Sequence, residues 1–278
     1  MAYACAAIRR RPPELSPRTG LSTVALVSSH DRSRLSYKVR YAVKHPQRVW
    51  PYVRRSARDQ LIALRTGGHV EYYRAIMESD TARDPDRAVG SLSRESWLTA
   101  GQRQFDYLMH HGLKPDTRML EIGCGNLRAG RLFIAHLKPG NYHGVDISPD
   151  ILLAALQTVA RLDLRRQRPY LTLVGDLRLE FLPDHAFDIV HAHSVFTHSP
   201  LEVIDECLAH VGRTMAPEGF FDFTFNRTMG TEHQVLREDF YYRVETLIGL
   251  AASHGLHAEL MEDWEPLRLH SKLRCTHG

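Results

Sequence analysis

Met119-Leu120-Glu121-Ile122-Gly123-Cys124-Gly125-Asn126-Leu127-Arg128-Ala129-Gly130 reads as a buried strand that runs into a glycine-rich turn and then a helix. A turn of this kind brings backbone amides close to a nucleotide-like ligand. Its spacing narrows the ligand. A dinucleotide fingerprint G-x-G-x-x-G begun at Gly123 requires glycine at position 128, where Arg128 stands. No Gly-Lys-Ser or Gly-Lys-Thr follows the turn, which excludes a P-loop. The strand ends beside Glu121, and a carboxylate there favours a cationic ligand over a phosphate.

Two further runs extend the pattern. Tyr142-His143-Gly144-Val145-Asp146-Ile147-Ser148 ends in an acid spaced from Glu121 as strand, helix and strand require. An acid in that place accepts hydrogen bonds from both ribose hydroxyls of a nucleotide. Tyr170-Leu171-Thr172-Leu173-Val174-Gly175-Asp176 again closes on an acid, where an adenine amino group would lie. S-adenosylmethionine, with its sulfonium and ammonium, suits three acids at three strand ends.

The residues between about Trp97 and Cys275 resemble the class I S-adenosylmethionine-dependent methyltransferases, and the G-C-G-x-L-R-x-G turn resembles a sub-group of them. The resemblance implies that Glu121, Gly123, Cys124, Gly125 and Arg128 surround the methionine part of the cofactor. It places Asp146 and Ile147 at the ribose, and Asp176 with Leu177 at the adenine. Phe187-Asp188-Ile189-Val190-His191-Ala192-His193-Ser194-Val195-Phe196-Thr197-His198 is similar to the family's fourth strand and following loop, with His193 and Ser194 near the methionine end or the acceptor. Many members have glycine where Leu127 stands, so a differently shaped turn is expected.

The alternation of strands and helices argues an α/β fold. The expected form is a Rossmann-like three-layer sandwich whose mostly parallel seven-stranded sheet ends in an antiparallel hairpin. Helices are expected over Trp97 to Gly112, Pro149 to Leu164 with Ser148 as cap, Pro200 to Met215, and Asp239 to His254. Trp97, Gly101 and Gln104 of the first helix could reach the ligand or pack on the sheet. Thr66 to Ala100 is polar, with Gly67-Gly68 and Asp80 to Gly90 as loops; Pro217-Glu218-Gly219 is expected to turn before a fifth strand, Phe220 to Phe225. The hairpin falls on His257 to Trp264 and Leu267 to Cys275. Three segments follow: residues 1–35 as a disordered or upstream extension, 36–95 as a basic helical cap, and 96–278 as the methyltransferase domain.

With 278 residues and 43% hydrophobic content, the chain can bury one sizeable core. Four scattered cysteines form neither a metal knuckle nor a disulfide framework, which points to a reducing, cytoplasmic setting. Between Arg32 and Arg65 ten cations face only Asp59, with aromatic residues interleaved. Such a strip suits either a solvated helical face or peripheral contact of residues 32–65 with anionic lipid. A net charge of +4 with no recognisable RNA-binding motif gives no dedicated nucleic-acid module.

Methyl transfer to a hydroxyl needs a base, and His198 is the first candidate, since it follows the fourth strand; the alternative is that it caps the next helix. His233 is the second, and Glu232, Asp239, Tyr241, Asp263 and His270 could line the acceptor side. His191, His193 and His198 lack a carboxylate at ligand spacing, so no metal is expected. The leading acceptor class is a small molecule, meaning O- or N-methylation of a metabolite, sugar or natural-product intermediate. A lipid-linked or glycan acceptor at a membrane surface is the alternative, and a cofactor-binding protein without catalysis is the second.

Overall fold

The computed structural model describes residues 46–236, 238–264 and 270–278. The chain divides into two compact units at Arg54/Arg55. Of the first unit only the opening of α1 (Pro46–Ala63) lies within the described residues, so the expectation for residues 1–35 and the strip from Arg32 to Lys44 lie outside them.

The second unit begins with the rest of α1 and continues through α2 (His69–Thr81), α3 (Pro85–Ala88) and α4 (Arg94–His110) into β1 (Met119–Ile122). Then come α5 (Gly130–His136), β2 (Tyr142–Asp146), α6 (Pro149–Arg161), β3 (Tyr170–Leu173), β4 (Phe187–Ala192) and α7 (Leu201–Thr214). The chain closes with β5 (Met215–Arg227), β6 (His233–Val235), β7 (Asp239–Tyr242), α8 (Val244–Ser253), β8 (Leu256–Leu260) and β9 (His270–His277).

The ends of these helices have local causes. Ser93 and Ser96 form a reciprocal capping box at the start of α4, and Gly112, at φ +93°, lets the chain leave after it. Ser148 accepts from the Ile151 amide, and Pro149 occupies the first turn of α6, where its missing N–H costs nothing.

Strands β3-β2-β1-β4-β5 lie parallel, β9 runs antiparallel beside β5, and β8 beside β9. The doubly wound sheet with a terminal hairpin is the expected one, with nine strands in place of seven. The extra pair is the β6–β7 hairpin: β4 follows β5 as far as Phe223, and β7 takes over at Asn226 and Arg227. Asp239–Tyr242 is thus a strand, not the first turn of a helix, and the following helix starts only at Val244. Its Phe240 and Tyr242 are buried while Asp239 and Tyr241 are half-buried, an alternation that suits a sheet edge. Pro217-Glu218-Gly219 is an irregularity within β5, where the pairing steps from Phe187↔Met215 to Ile189↔Phe220.

Helices cover both faces. On one, Ile204, Leu208 and Val211 of α7 and Leu247 of α8 pack with Leu120, Phe221 and Phe223. On the other, Tyr107 and Leu108 of α4, Phe133 of α5 and Val159 of α6 pack with Met119 and Ile189. Within Thr66 to Ala100, α2 buries Tyr72, Ile76 and Met77, Met77 joins Ile151 and Ala154 of α6, and the short α3 interrupts the loop expected over Asp80 to Gly90. Among the described residues no helix is long and apolar enough to cross a membrane.

Candidate functional site

The carboxyl ends of β1, β2 and β4 open into one crevice, the place where strand order reverses. Gly123 and Gly125 take φ of +68° and +55°, which glycine reaches without strain. A side chain at Gly123 would strike Val195 Cγ2 at 2.4 Å, so β4's loop presses directly on the turn. The missing third glycine does not spare the turn its left-handed backbone, because Leu127 itself sits at φ +65° and is fully buried. Packing of that leucine in the core offsets a conformation that costs an L-residue about 1 kcal/mol.

Glu121 is buried at the end of β1, and Tyr142 Oη donates to its Oε2. Burial pushes its carboxyl up to about 8, against the opposing influence of Tyr142 and the nearby Arg128 guanidinium. A buried acid so short of compensation suits a ligand that brings positive charge. Asp146 is buried as well; its Oδ2 accepts from Gly125 N at 2.9 Å and its Oδ1 from Ser148 N at 3.0 Å, while burial raises its pKa. Both carboxylates and the glycine turn thus lie together at the carboxyl ends of β1 and β2, an arrangement that fits S-adenosylmethionine.

The remaining expected residues are placed as follows. Cys124 is buried beside Gly144, and burial raises its thiol. Arg128 donates from Nη1 to Val89 O at 2.6 Å. The Ile147 carbonyl accepts from Arg74 Nε at 2.8 Å. Asp176 is exposed and accepts from Arg178 N, whereas Leu177 is buried, its N donating to Glu206. His193 is half-buried, its pKa lowered by burial first and by Arg128 next; Ser194, at φ +60°, donates its N–H to Thr224 Oγ1.

Trp97, Gly101 and Gln104 pack. Trp97 is fully buried and donates from Nε1 to Asn126 Oδ1 at 2.9 Å, and Gly101 lies so close to Arg128 that a methyl group there would meet its carbonyl oxygen at 2.1 Å. Gln104 Oε1 faces His191 Nε2 at 3.5 Å.

His198 has a defined tautomer. Its Nδ1–H donates to Glu238 O at 2.8 Å, with Asp239 Oδ1 at 3.2 Å, so that the neutral ring carries its acceptor lone pair on Nε2. His233 is on the β6–β7 hairpin, its ring stacked on Tyr241 at 4.6 Å and its Nδ1 at Thr231 O. Glu232 accepts from Arg243 N, Asp263 bonds His111, and His270 Nδ1 meets Ser194 Oγ at 3.5 Å.

The sequence reading missed the contribution of α2. Tyr73 stacks on His198 at 5.5 Å, and His69 Nε2 donates to the His198 carbonyl at 2.8 Å. Burial raises the Tyr73 pKa, and Asp146 is near enough for its charge to add to that rise. Tyr73 is therefore in ring contact with the histidine after β4 and within electrostatic reach of the acid of β2. Val89, over Gly125, and Asp86, accepting from Asn126 at 2.7 Å, complete the cover from the same stretch. In the sequence, Tyr72, Ile76 and Met77 carry the helical spacing that would have revealed this helix.

Residues 120–221 match the family of methyltransferase domains. Magnesium protoporphyrin IX methyltransferase from Synechocystis PCC 6803, solved with bound SAM, is 14% identical with a TM-score of 0.57, over 77% of this chain and 99% of that one. A SAM-dependent methyltransferase from Leishmania major is 13% identical with a TM-score of 0.57, over 74% and 80%. The PH0226 protein from Pyrococcus horikoshii OT3 is 17% identical with a TM-score of 0.53, over 67% and 93%. At these identities the solved structures establish a shared fold.

Proposed function

We propose, for a chain that carries a class I S-adenosylmethionine-dependent methyltransferase domain with S-adenosyl-L-methionine as methyl donor, that the methyl group passes to oxygen or nitrogen of a small-molecule acceptor. The donor supplies an already activated sulfonium methyl. What this chain's residues contribute is placement. Glu121 and the 123–125 turn face the methionine ammonium, Arg128 its carboxylate, Asp146 and Ile147 the ribose, and Leu177 the adenine. Holding the acceptor in line with the methyl supplies up to about 7–11 kcal/mol in favourable cases.

The observation that carries the reading is the orientation of His198. Glu238 O fixes its Nδ1–H, and the lone pair of Nε2 is left to take a proton from an acceptor hydroxyl or amine. His198→Ala is expected to slow methyl transfer about 100- to 10,000-fold while S-adenosylhomocysteine affinity stays unchanged. Labelled methyl transfer into a metabolite extract, read by mass spectrometry with and without added imidazole, checks this. Undiminished transfer would hand the role to His233 or to placement alone, and no methylated product from the unmodified protein would favour a binding protein.

Glu121 makes the cofactor step pH-dependent. With its carboxyl near 8 in the free protein, binding an ammonium at pH 7 must expel its proton. Affinity for S-adenosylhomocysteine should therefore rise with pH by up to about tenfold per unit between roughly pH 6 and 8 and then level off. The folded pKa lies above the unfolded one, so the neutral form stabilises the ligand-free fold below the unfolded pKa, and that contribution disappears as pH rises through about 8. Glu121→Gln should abolish the slope, weaken binding, and raise the thermal midpoint at pH 8. Calorimetry in buffers of different ionisation enthalpy reads the proton; a Glu121→Gln protein that keeps the full slope would acquit Glu121.

A further inference from the structure

At the outer side of the site lies a cavity of about 420 Å³, walled by Gly68, His69 and Tyr72 at the start of α2, Glu202 at the start of α7, and Gln234 and Phe240 on the hairpin. That size falls within the roughly 300–1,000 Å³ of small-ligand sites. Residues 63–72 supply one wall, and the segments that follow β4 (Pro200 and Glu202) and β5 (Gln234 and Phe240) supply the others.

His69 joins the cavity to the candidate base. Its ring lines the cavity edge-on to Phe240 at 5.1 Å, and the same ring bonds the His198 backbone. The charge of the walls is one-sided. No lysine or arginine is among the lining residues; burial lowers the pKa of His69 and keeps it neutral at pH 7, leaving Glu202 as the sole fixed charge, exposed at the edge. The Glu202 carboxylate beside an otherwise uncharged lining attracts a cation and repels an anion.

The geometry points to this cavity as the seat of the acceptor's non-reacting portion, and to that portion as neutral or cationic rather than carboxylated or phosphorylated. This rests on the methyl-transfer reading and adds the acceptor's charge class to it.

Three phenols of similar size test it on the full chain saturated with S-adenosylhomocysteine: tyramine, tyrosol and 4-hydroxyphenylacetate, by ligand-observed NMR. Tyramine should bind tightest, tyrosol next, and the carboxylate at least about tenfold more weakly than tyramine, a gap of about 1.4 kcal/mol. Glu202→Gln should bring tyramine down to the level of tyrosol. Gly68 has extended backbone at φ −163°, and a Cβ there meets nothing within 4 Å, so Gly68→Phe is compatible with the fold. It should weaken all three probes about tenfold or more and leave S-adenosylhomocysteine affinity unchanged.

Equal binding of the carboxylate, unaltered binding to Gly68→Phe, or no binding of any probe at millimolar concentration would each overturn the assignment. If S-adenosylhomocysteine binds normally in those cases, only the cavity assignment is lost. If S-adenosylhomocysteine itself does not bind, the methyl-transfer reading goes with it.

Discussion

Asp146→Ala is expected to lower affinity for S-adenosylhomocysteine by about 100-fold or more, corresponding to two charge-assisted hydrogen bonds of about 1.5–3 kcal/mol each, part of which water recovers. The carboxylate is buried at the end of β2 and fixed from two sides by Gly125 N and Ser148 N, so little ordering remains when ribose hydroxyls arrive. The same two amides lose their acceptor in the alanine protein, which loosens the Gly123–Gly125 turn as well. Asp146→Asn separates the effects. It retains one carbonyl oxygen but presents an NH₂ to one of two amide donors, so its affinity should fall between the parent and alanine forms. Because burial already disfavours the charged carboxylate, the thermal midpoint should change far less than the affinity. Titration calorimetry beside thermal scanning reads both, and an alanine protein that binds as the parent does would remove Asp146 from the ribose.

The strand ends at which the cofactor is proposed to sit were legible because they depend on short, ordered segments. A buried strand followed by Gly123 and Gly125, and acids closing the runs at Asp146 and Asp176, mark a sheet edge without knowledge of tertiary packing. The acceptor half was not legible in that way. His69 and Tyr73 meet His198 across 129 and 125 positions of sequence, and no periodicity links residues that far apart. The helix that carries them lies in the segment expected to be a helical cap, but its bounds and its contact with His198 have no sequence signal, since its buried face is only Tyr72, Ile76, Met77 and Thr81. Asp239–Tyr242 was mistaken for helix because its apolar residues lead directly into Val244–Ser253, and pairing with His233–Val235 on one side and Asn226 and Arg227 on the other makes it a strand. Asp176 follows β3 as expected, with its side chain exposed and accepting from Arg178 N.

The alternation of β5 leads to a second large effect, on stability. Phe221, Phe223 and Phe225 point into one core, so Asp222, Thr224 and Asn226 must occupy the other face, and all of them are buried. Register sets His191 and Arg274 on either side of Asp222, with Lys272 beside Thr224. Arg274 grips Asp222 with Nε at 2.7 Å and Nη2 at 2.9 Å; Lys272 Nζ is 3.5 Å away, over the rings of Tyr107 and Trp264 at 4.2 and 4.4 Å. Burial lowers the Lys272 pKa to about 8 despite its acid neighbour, and burial also holds His191 neutral. Asp222 is therefore the anion that makes two interior cations tolerable. Asp222→Ala should destabilise the fold by about 3–5 kcal/mol, since it strands charge rather than removing a pair. Lys272→Met, which takes away a cation but keeps a chain of similar volume among the aromatics, should lie within about 1 kcal/mol of the parent. Adding it to Asp222→Ala should restore part of the loss, because one stranded cation remains in place of two. Lysine's folded pKa lies below its unfolded value of 10.5, so between about pH 8 and 10.5 the unfolded chain holds a proton that the folded one has released, and this group makes stability rise with pH there. Lys272→Met should remove that rise. Urea unfolding of the three variants across this pH window measures every step, and a cost below about 1 kcal/mol for Asp222→Ala would mean that water reaches the cluster and compensates its charge.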